Sequence, residues 1–169
     1  EADVVFLGFY RDARSILHQF EMEDRSDKSN SMLHEIQVID FNPEVLDELK
    51  RRGIACLYGD VASQETLHHA AIHHAEVVLC TLPDSILKGT SNQKLLKQLL
   101  RSCPQAKIIV ASETILGARA LYEAGARREG LKATMAGGAL VGPVDDLDLN
   151  LDIGGRTAEI AERILKAEG

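Results

Sequence analysis

The sequence predicts an α/β fold: a doubly wound parallel sheet followed by a short C-terminal appendage of one strand and one helix. Three observations lead there. Strand-like and helix-like stretches alternate five times along residues 1–126. The strand-like stretches are continuous apolar runs, the pattern of strands buried on both faces. The first run ends in Gly8 and passes directly into a helical pattern, the strand–turn–helix start of a right-handed crossover unit.

The elements follow in order. "DVVFLG" (3–8) is the first buried strand, and 11–23 carries Ile16, Leu17 and Phe20 at helical spacing. Residues 24–32, "DRSDKSNSM", are polar and rich in helix breakers, so they read as a long flexible loop. "EIQVIDF" (35–41) is the second strand. Asn42 and Pro43 then supply an N-cap and a first-turn residue for a helix that ends at Gly53. "IACLYGD" (54–60) is the third strand, and 63–73 a helix holding four of the chain's six histidines. "AEVVLCTLPD" (75–84) is the fourth strand, ending in a proline turn, and a helix over 92–102 follows. "AKIIVASE" (106–113) and a helix over 114–126 complete the series, which is Rossmann-like in layout. Beyond it, "MAGGALVGP" (135–143) is glycine-rich. "DLDLNLDI" (146–153) alternates polar and apolar like a half-exposed strand, and 155–168 reads as an amphipathic helix. The expected division is a Rossmann-like unit over 1–126 and an appendage over 127–169 that packs on the core or makes a dimer contact.

Composition narrows the function. The chain has 169 residues, enough for one domain, and is 45% hydrophobic, enough for a substantial aliphatic core. A formal net charge of -7 argues against a nucleic-acid surface, which needs clustered lysine and arginine. No signal peptide and no bilayer-length apolar run is visible, so no direct membrane insertion is expected of these residues. The chain starts at Glu1 without a methionine, one residue before a strand, and reads as a piece of a longer protein. Cys56, Cys80 and Cys103 lack metal spacing. Cys56 and Cys80 sit in apolar runs as inert core thiols, which suits a reducing, cytoplasmic setting.

In a parallel doubly wound sheet, ligands sit outside the carboxyl ends of the strands, where strand order reverses. The candidates are therefore Gly8 to Asp12, Asp40 and Phe41, Gly59 to Val61, Thr81 to Asp84, and Ser112 with Glu113. Asp40 is the strongest signal: a carboxylate ending the second strand accepts hydrogen bonds from both ribose hydroxyls and disfavours a 2′-phosphate. The phosphate turn is weaker. Laid on G-x-G-x-x-G/A, residues 8–13 keep the first glycine and an alanine at the end, but the middle glycine is Tyr10. A side chain there obstructs the approach of a pyrophosphate, and Asp12 adds negative charge at the helix start. Arg11 and Arg14 are placed to offset this with side-chain contacts to phosphate.

Asp60 is placed to reach an adenine edge or ribose, and Thr81 to hydrogen-bond a ligand. His68, His69, His73 and His74 include a possible metal pair at His69 and His73, but they also read as a solvated helix end, and no metal is assigned. The run Asp146, Asp148, Asn150, Asp152 lacks the glycine and glutamate of a calcium loop and reads as a solvated strand face. No catalytic donor follows a strand end, so no enzyme is expected.

Residues 3–126 resemble the KTN/RCK (TrkA-N) domains. The pieces that carry the likeness are "VIDFNPEVLDELKRRG", "YGDV", a helix ending in "A-x-H-x-A-E-V-V", "N-x-K-L-L-K-Q-L" and "KIIVASE", in the family's order. The resemblance implies a cytoplasmic regulatory domain that binds an adenine mononucleotide (AMP, ADP or ATP) or NAD(H) and gates a potassium channel, a potassium transporter or a cation/proton antiporter. It implies a homodimer or larger assembly joined to a membrane transporter domain of the same or a partner chain. By position, Asp40 would hold the ribose, Asp60 would lie by the adenine, Gly8, Phe9, Tyr10 and Arg11 would face phosphate, and Thr81 and Leu82 would line the pocket, with Phe41 and Val61 as further cofactor-binding candidates. The alternatives are a dimerisation scaffold with a degenerate nucleotide site and a small NAD-dependent oxidoreductase.

Overall fold

A computed structural model describes residues 2–26, 31–126, 133–134 and 140–141. The late strand and helix expected over 146–153 and 155–168 lie outside the described residues. The described chain runs β1 (Val4–Leu7), α1 (Arg11–Ser26), β2 (Ile36–Asp40), α2 (Pro43–Arg51), β3 (Ala55–Tyr58), α3 (Gln64–His69), β4 (Val77–Cys80), α4 (Asn92–Ser102), β5 (Lys107–Val110), α5 (Ile115–Glu123), β6 (Ala133–Thr134) and β7 (Leu140–Val141). Strands β1–β5 form one all-parallel sheet in the order β3-β2-β1-β4-β5, and β6 pairs antiparallel with β7. Chain order reverses between β1 and β4, so the switch point lies at their carboxyl ends.

Each strand sends alternate residues to two separate cores. Val4, Phe6, Ile36, Val38, Val77, Leu79 and Ile109 meet Ile16, Leu17 and Phe20 of α1 and Leu49 of α2. Val5, Leu7, Ile39, Val78, Cys80, Ile108 and Val110 meet Leu67 of α3, Leu95, Leu96 and Leu99 of α4, and Leu121 of α5. Covering both faces is what makes β1 and β4 buried at every residue. The helices start on side-chain caps: Asn42 accepts from Glu44 N–H, Ser63 from Thr66, Ser91 from Lys94 and Thr114 from Gly117.

The structure departs from the sequence reading in three places. Helix α1 continues to Ser26, taking Asp24 to Ser26 out of the expected loop, and a 3₁₀ turn over Leu33–Glu35 leads into β2. The helix expected over 63–73 breaks after His69, because Ala71 takes a left-handed conformation (φ 51°) and a 3₁₀ turn over Ile72–His74 follows. Strand β3 is the sheet's edge, so its two end residues are exposed and Cys56 is half-buried rather than a core thiol. Cys80 and Cys103 are buried, and burial pushes their thiols up to about 12 and about 11. Among the described residues, no helix is long and apolar enough to cross a membrane.

Candidate functional site

Strand register brings the main candidates abreast. Leu7 pairs with both Ile39 and Cys80, so Gly8, Asp40 and Thr81 emerge side by side at the carboxyl ends of β1, β2 and β4. Gly8 is left-handed (φ 80°) and donates its N–H to Ile39 O at 2.8 Å. A Cβ at Gly8 would overlap the Leu82 side chain, so glycine is required here by packing as well as by conformation.

Asp40 is 7% exposed and already occupied at both oxygens. Oδ2 accepts the Phe9 N–H at 2.8 Å and Oδ1 accepts the Asn42 N–H at 2.8 Å. It thus ties the β1 turn to the β2 turn, and each oxygen keeps a second lone pair. Thr81 is 4% exposed, and its hydroxyl has no hydrogen-bond partner. Buried hydroxyls are nearly always partnered, so this enclosed hydroxyl at the end of β4 is an unmet polar group.

The turn's side chains divide. Phe9 is buried in the α1/α2 core, with the guanidinium groups of Arg14 and Arg52 at 5.0 and 5.6 Å from its ring centroid. Arg14 pairs with Glu48 at 3.1 Å, and Arg52 with Glu21 at 2.8 Å and Glu48 at 3.1 Å. Arg14, the second cation expected near phosphate, is thus held over Phe9 and against Glu48 in the free protein. Tyr10 is half-buried against the core on the α3/α4 face, and the exposed Arg11 lies 5.8 Å from its ring centroid. Burial raises the Asp12 carboxyl above its ordinary range, against the lowering charge of Arg11.

Asp60 is exposed and accepts the Ala62 N–H at 2.8 Å in a local turn, while Val61 is buried in the core. Phe41 and Tyr58 are exposed, 58% and 66%, at the adjacent ends of β2 and β3. The histidines contact one another, with the His73 and His74 rings 4.0 Å apart. Among the described residues, no group of three or more ligating side chains is placed to hold a metal.

Sequence reading missed two features. Asn92 is buried and holds the β4 turn, donating to Leu82 O at 2.7 Å and accepting from Cys80 Sγ at 3.3 Å, while its N–H donates to Asp84 Oδ1 at 2.6 Å. The sequence placed a helix start at Asn92 without revealing this reach back to the strand. A cavity of about 250 Å³ lies one strand beyond the switch point, lined by Asp84, Gln93, Ser112, Glu113 and Thr114 among others. Ser112 and Glu113, expected as strand-end candidates, line this cavity.

The model of the TrkA-N domain matches residues 24–129. The chain belongs to the TrkA-N family. The TrkA-N match begins beyond the glycine turn, where the chain departs most from the fingerprint. A second family model, CheD chemotactic sensory transduction, matches the shorter stretch 114–169. No curated protein matches. Among solved structures, the chain is similar to the TrkA-N domain of the inner membrane protein ybaL from Escherichia coli. They share 18% identity and a TM-score of 0.61, over 100% of this chain and 98% of that one. It is also similar to GsuK bound to ADP, at 18% identity and a TM-score of 0.58, over 80% of this chain and 31% of that chain. A third is the NAD(P)-binding domain of an exopolyphosphatase-related protein from Archaeoglobus fulgidus, at 18% identity and a TM-score of 0.54, over 79% and 88%. The TrkA-N chain therefore spans about a third of GsuK and nearly all of the ybaL domain. This TrkA-N domain has the Rossmann-like fold, that of a TrkA-N/RCK-like nucleotide-binding regulatory domain.

Proposed function

We propose that this TrkA-N domain is a non-catalytic sensor of an adenine mononucleotide or NAD(H), gating a potassium channel, potassium transporter or cation/proton antiporter from its cytoplasmic side. The observation that carries the reading is the unpartnered Thr81 hydroxyl beside Gly8 at the switch point. A nucleotide laid across the crevice supplies the missing partner. Asp40 then uses its remaining lone pairs on the ribose hydroxyls, and Phe41 offers an exposed ring to the base. Asp60 and Val61 flank the adenine, the turn from Gly8 through Phe9 and Tyr10 to Arg11 faces phosphate, and Leu82 forms the wall. The likeness to an ADP-bound protein and to a domain of an inner membrane protein supports both parts. The working unit is a homodimer or larger assembly attached to a membrane domain of the same or a partner chain. Residues 1–126 form the binding unit in this reading, and 127–169 the contact appendage.

Calorimetric titration with AMP, ADP, ATP, NAD and NADH tests it, after mass spectrometry has excluded a co-purified nucleotide. Thr81→Val is the informative variant. Its thermal midpoint should match or exceed that of the wild type, since no bond is lost in the free protein. Its affinity should fall about fivefold to tenfold, the value of one hydrogen bond of roughly 1–1.5 kcal/mol. Absence of binding by all five nucleotides would favour the degenerate scaffold, to which the packing of Leu82 over Gly8 lends weight.

A further inference from the structure

We propose that Tyr10 makes the crevice a single-phosphate site, selecting an adenine mononucleotide over a dinucleotide. The inference rests on the nucleotide reading above and adds the determinant of ligand size. A pyrophosphate is held where the backbone of the turn can approach it closely, which is why a dinucleotide fingerprint has glycine at its middle position. Here that position carries a phenol ring. Its backbone is in an ordinary conformation, since Ala71 is the one described non-glycine residue with positive φ. The turn is thus shaped for a side chain, and Tyr10 is not a strained intruder in a glycine conformation.

The ring is also held in place. It packs against the core that contains Leu82, and Arg11 lies over it at 5.8 Å. Leu82 in turn occupies the space above Gly8. Swinging Tyr10 aside would separate it from both the core and Arg11.

Few of the turn's side chains are left as donors for phosphate. The Phe9 N–H is taken by Asp40, and Arg14 is bound to Glu48 and Phe9. Arg11 is the exposed cation that remains on the turn, and the Asp12 carboxyl opposes additional phosphate charge at the start of α1. One phosphate beside Arg11 uses what the turn offers. A second phosphate with its further nucleoside would have to cross Tyr10.

The test is titration of the 169-residue chain with AMP and with NAD. Wild type, Tyr10→Phe, Tyr10→Gly and Tyr10→Ala are compared, each checked for folding by thermal melt. Wild type and Tyr10→Phe should bind AMP at least tenfold more tightly than NAD. Tyr10→Gly should shift the ratio of NAD to AMP affinity at least fivefold toward NAD, and Tyr10→Ala gives the same comparison if glycine loosens the helix start. Equal binding of AMP and NAD by the wild type overturns the role of Tyr10 and leaves the nucleotide reading standing. An unchanged AMP-to-NAD ratio in both small variants does the same. Failure of both ligands to bind any of the four proteins overturns the nucleotide reading itself, and the size selection with it.

Discussion

At the scale of single residues, Asp40 and Thr81 stand side by side and carry opposite expectations. Asp40 gives one oxygen to the Phe9 amide and the other to the Asn42 amide, so two turns lose an acceptor when it is removed. Asp40→Ala is expected to lower unfolding stability by about 2–4 kcal/mol in urea, because buried donors are left unmet and bonds to a charged acceptor are the stronger kind. Asp40→Asn should be little milder, since its amide nitrogen would face one of the two N–H groups. A loss below about 1 kcal/mol in both would show that the turns do not depend on this carboxylate. A fall in ligand affinity on removing Asp40 is thus ambiguous by itself, whereas Thr81 can be changed without disturbing a bond of the free protein. The sequence made Asp40 conspicuous through its place at a strand end. Its structural duty was hidden because both partners are backbone amides, which no side-chain pattern advertises. The Arg14–Phe9–Arg52 stack was equally invisible, since Phe9 and Arg52 meet only through the sheet's crossover.

At the scale of elements, periodicity and the Asn42 cap were legible in the sequence, while the caps at Ser63, Ser91 and Thr114 emerged from the structure. Asn42, Ser63, Ser91 and Thr114 cap the helices they precede, and five apolar runs became five parallel strands. The errors lie where tertiary placement overrides local pattern. The run containing Cys56 looks as apolar as its neighbours but lies at the sheet edge, a property set by strand order. The 63–73 helix looks continuous because alanine favours helix, yet Ala71 turns left-handed to aim the chain at β4. This conformation costs alanine roughly 1–2 kcal/mol and glycine almost nothing. Ala71→Gly is therefore expected to stabilise the protein by about 0.5–1 kcal/mol in urea unfolding, after the entropy cost of glycine in the unfolded chain. The neighbouring Ala70→Gly should destabilise by about 1 kcal/mol or more, as Ala70 is buried with an ordinary backbone. The same sign for both substitutions would mean that the break after α3 is not held by Ala71.

At the scale of the whole molecule, a sensor differs from a scaffold and from an enzyme in what its ligand does to the energy of the fold. A ligand that binds the native state alone stabilises it by about 2.7 kcal/mol at one hundred times its dissociation constant. For a chain of this size, each kcal/mol shifts the thermal midpoint by about 2–4 °C. Saturating AMP should thus raise the midpoint by about 5–10 °C, read by calorimetry, and NADH absorbance should stay constant over hours with the protein present. A missing shift at a concentration that titration shows to be saturating would contradict coupling between the crevice and the fold. Steady consumption of NADH would instead mark an oxidoreductase. Stabilisation alone does not gate a transporter, however. A nucleotide moves an attached membrane domain only by the ratio of its affinities for two arrangements of the assembly, and equal affinity moves nothing. The Asp40 bridge bears on this coupling. It fastens the β1 turn to the β2 turn in the free protein, so a ribose on Asp40 and a phosphate at Arg11 would act on two turns already joined. Their displacement would pass as one unit into α1 and α2, which share the Glu48 and Glu21 ion pairs through Arg14 and Arg52.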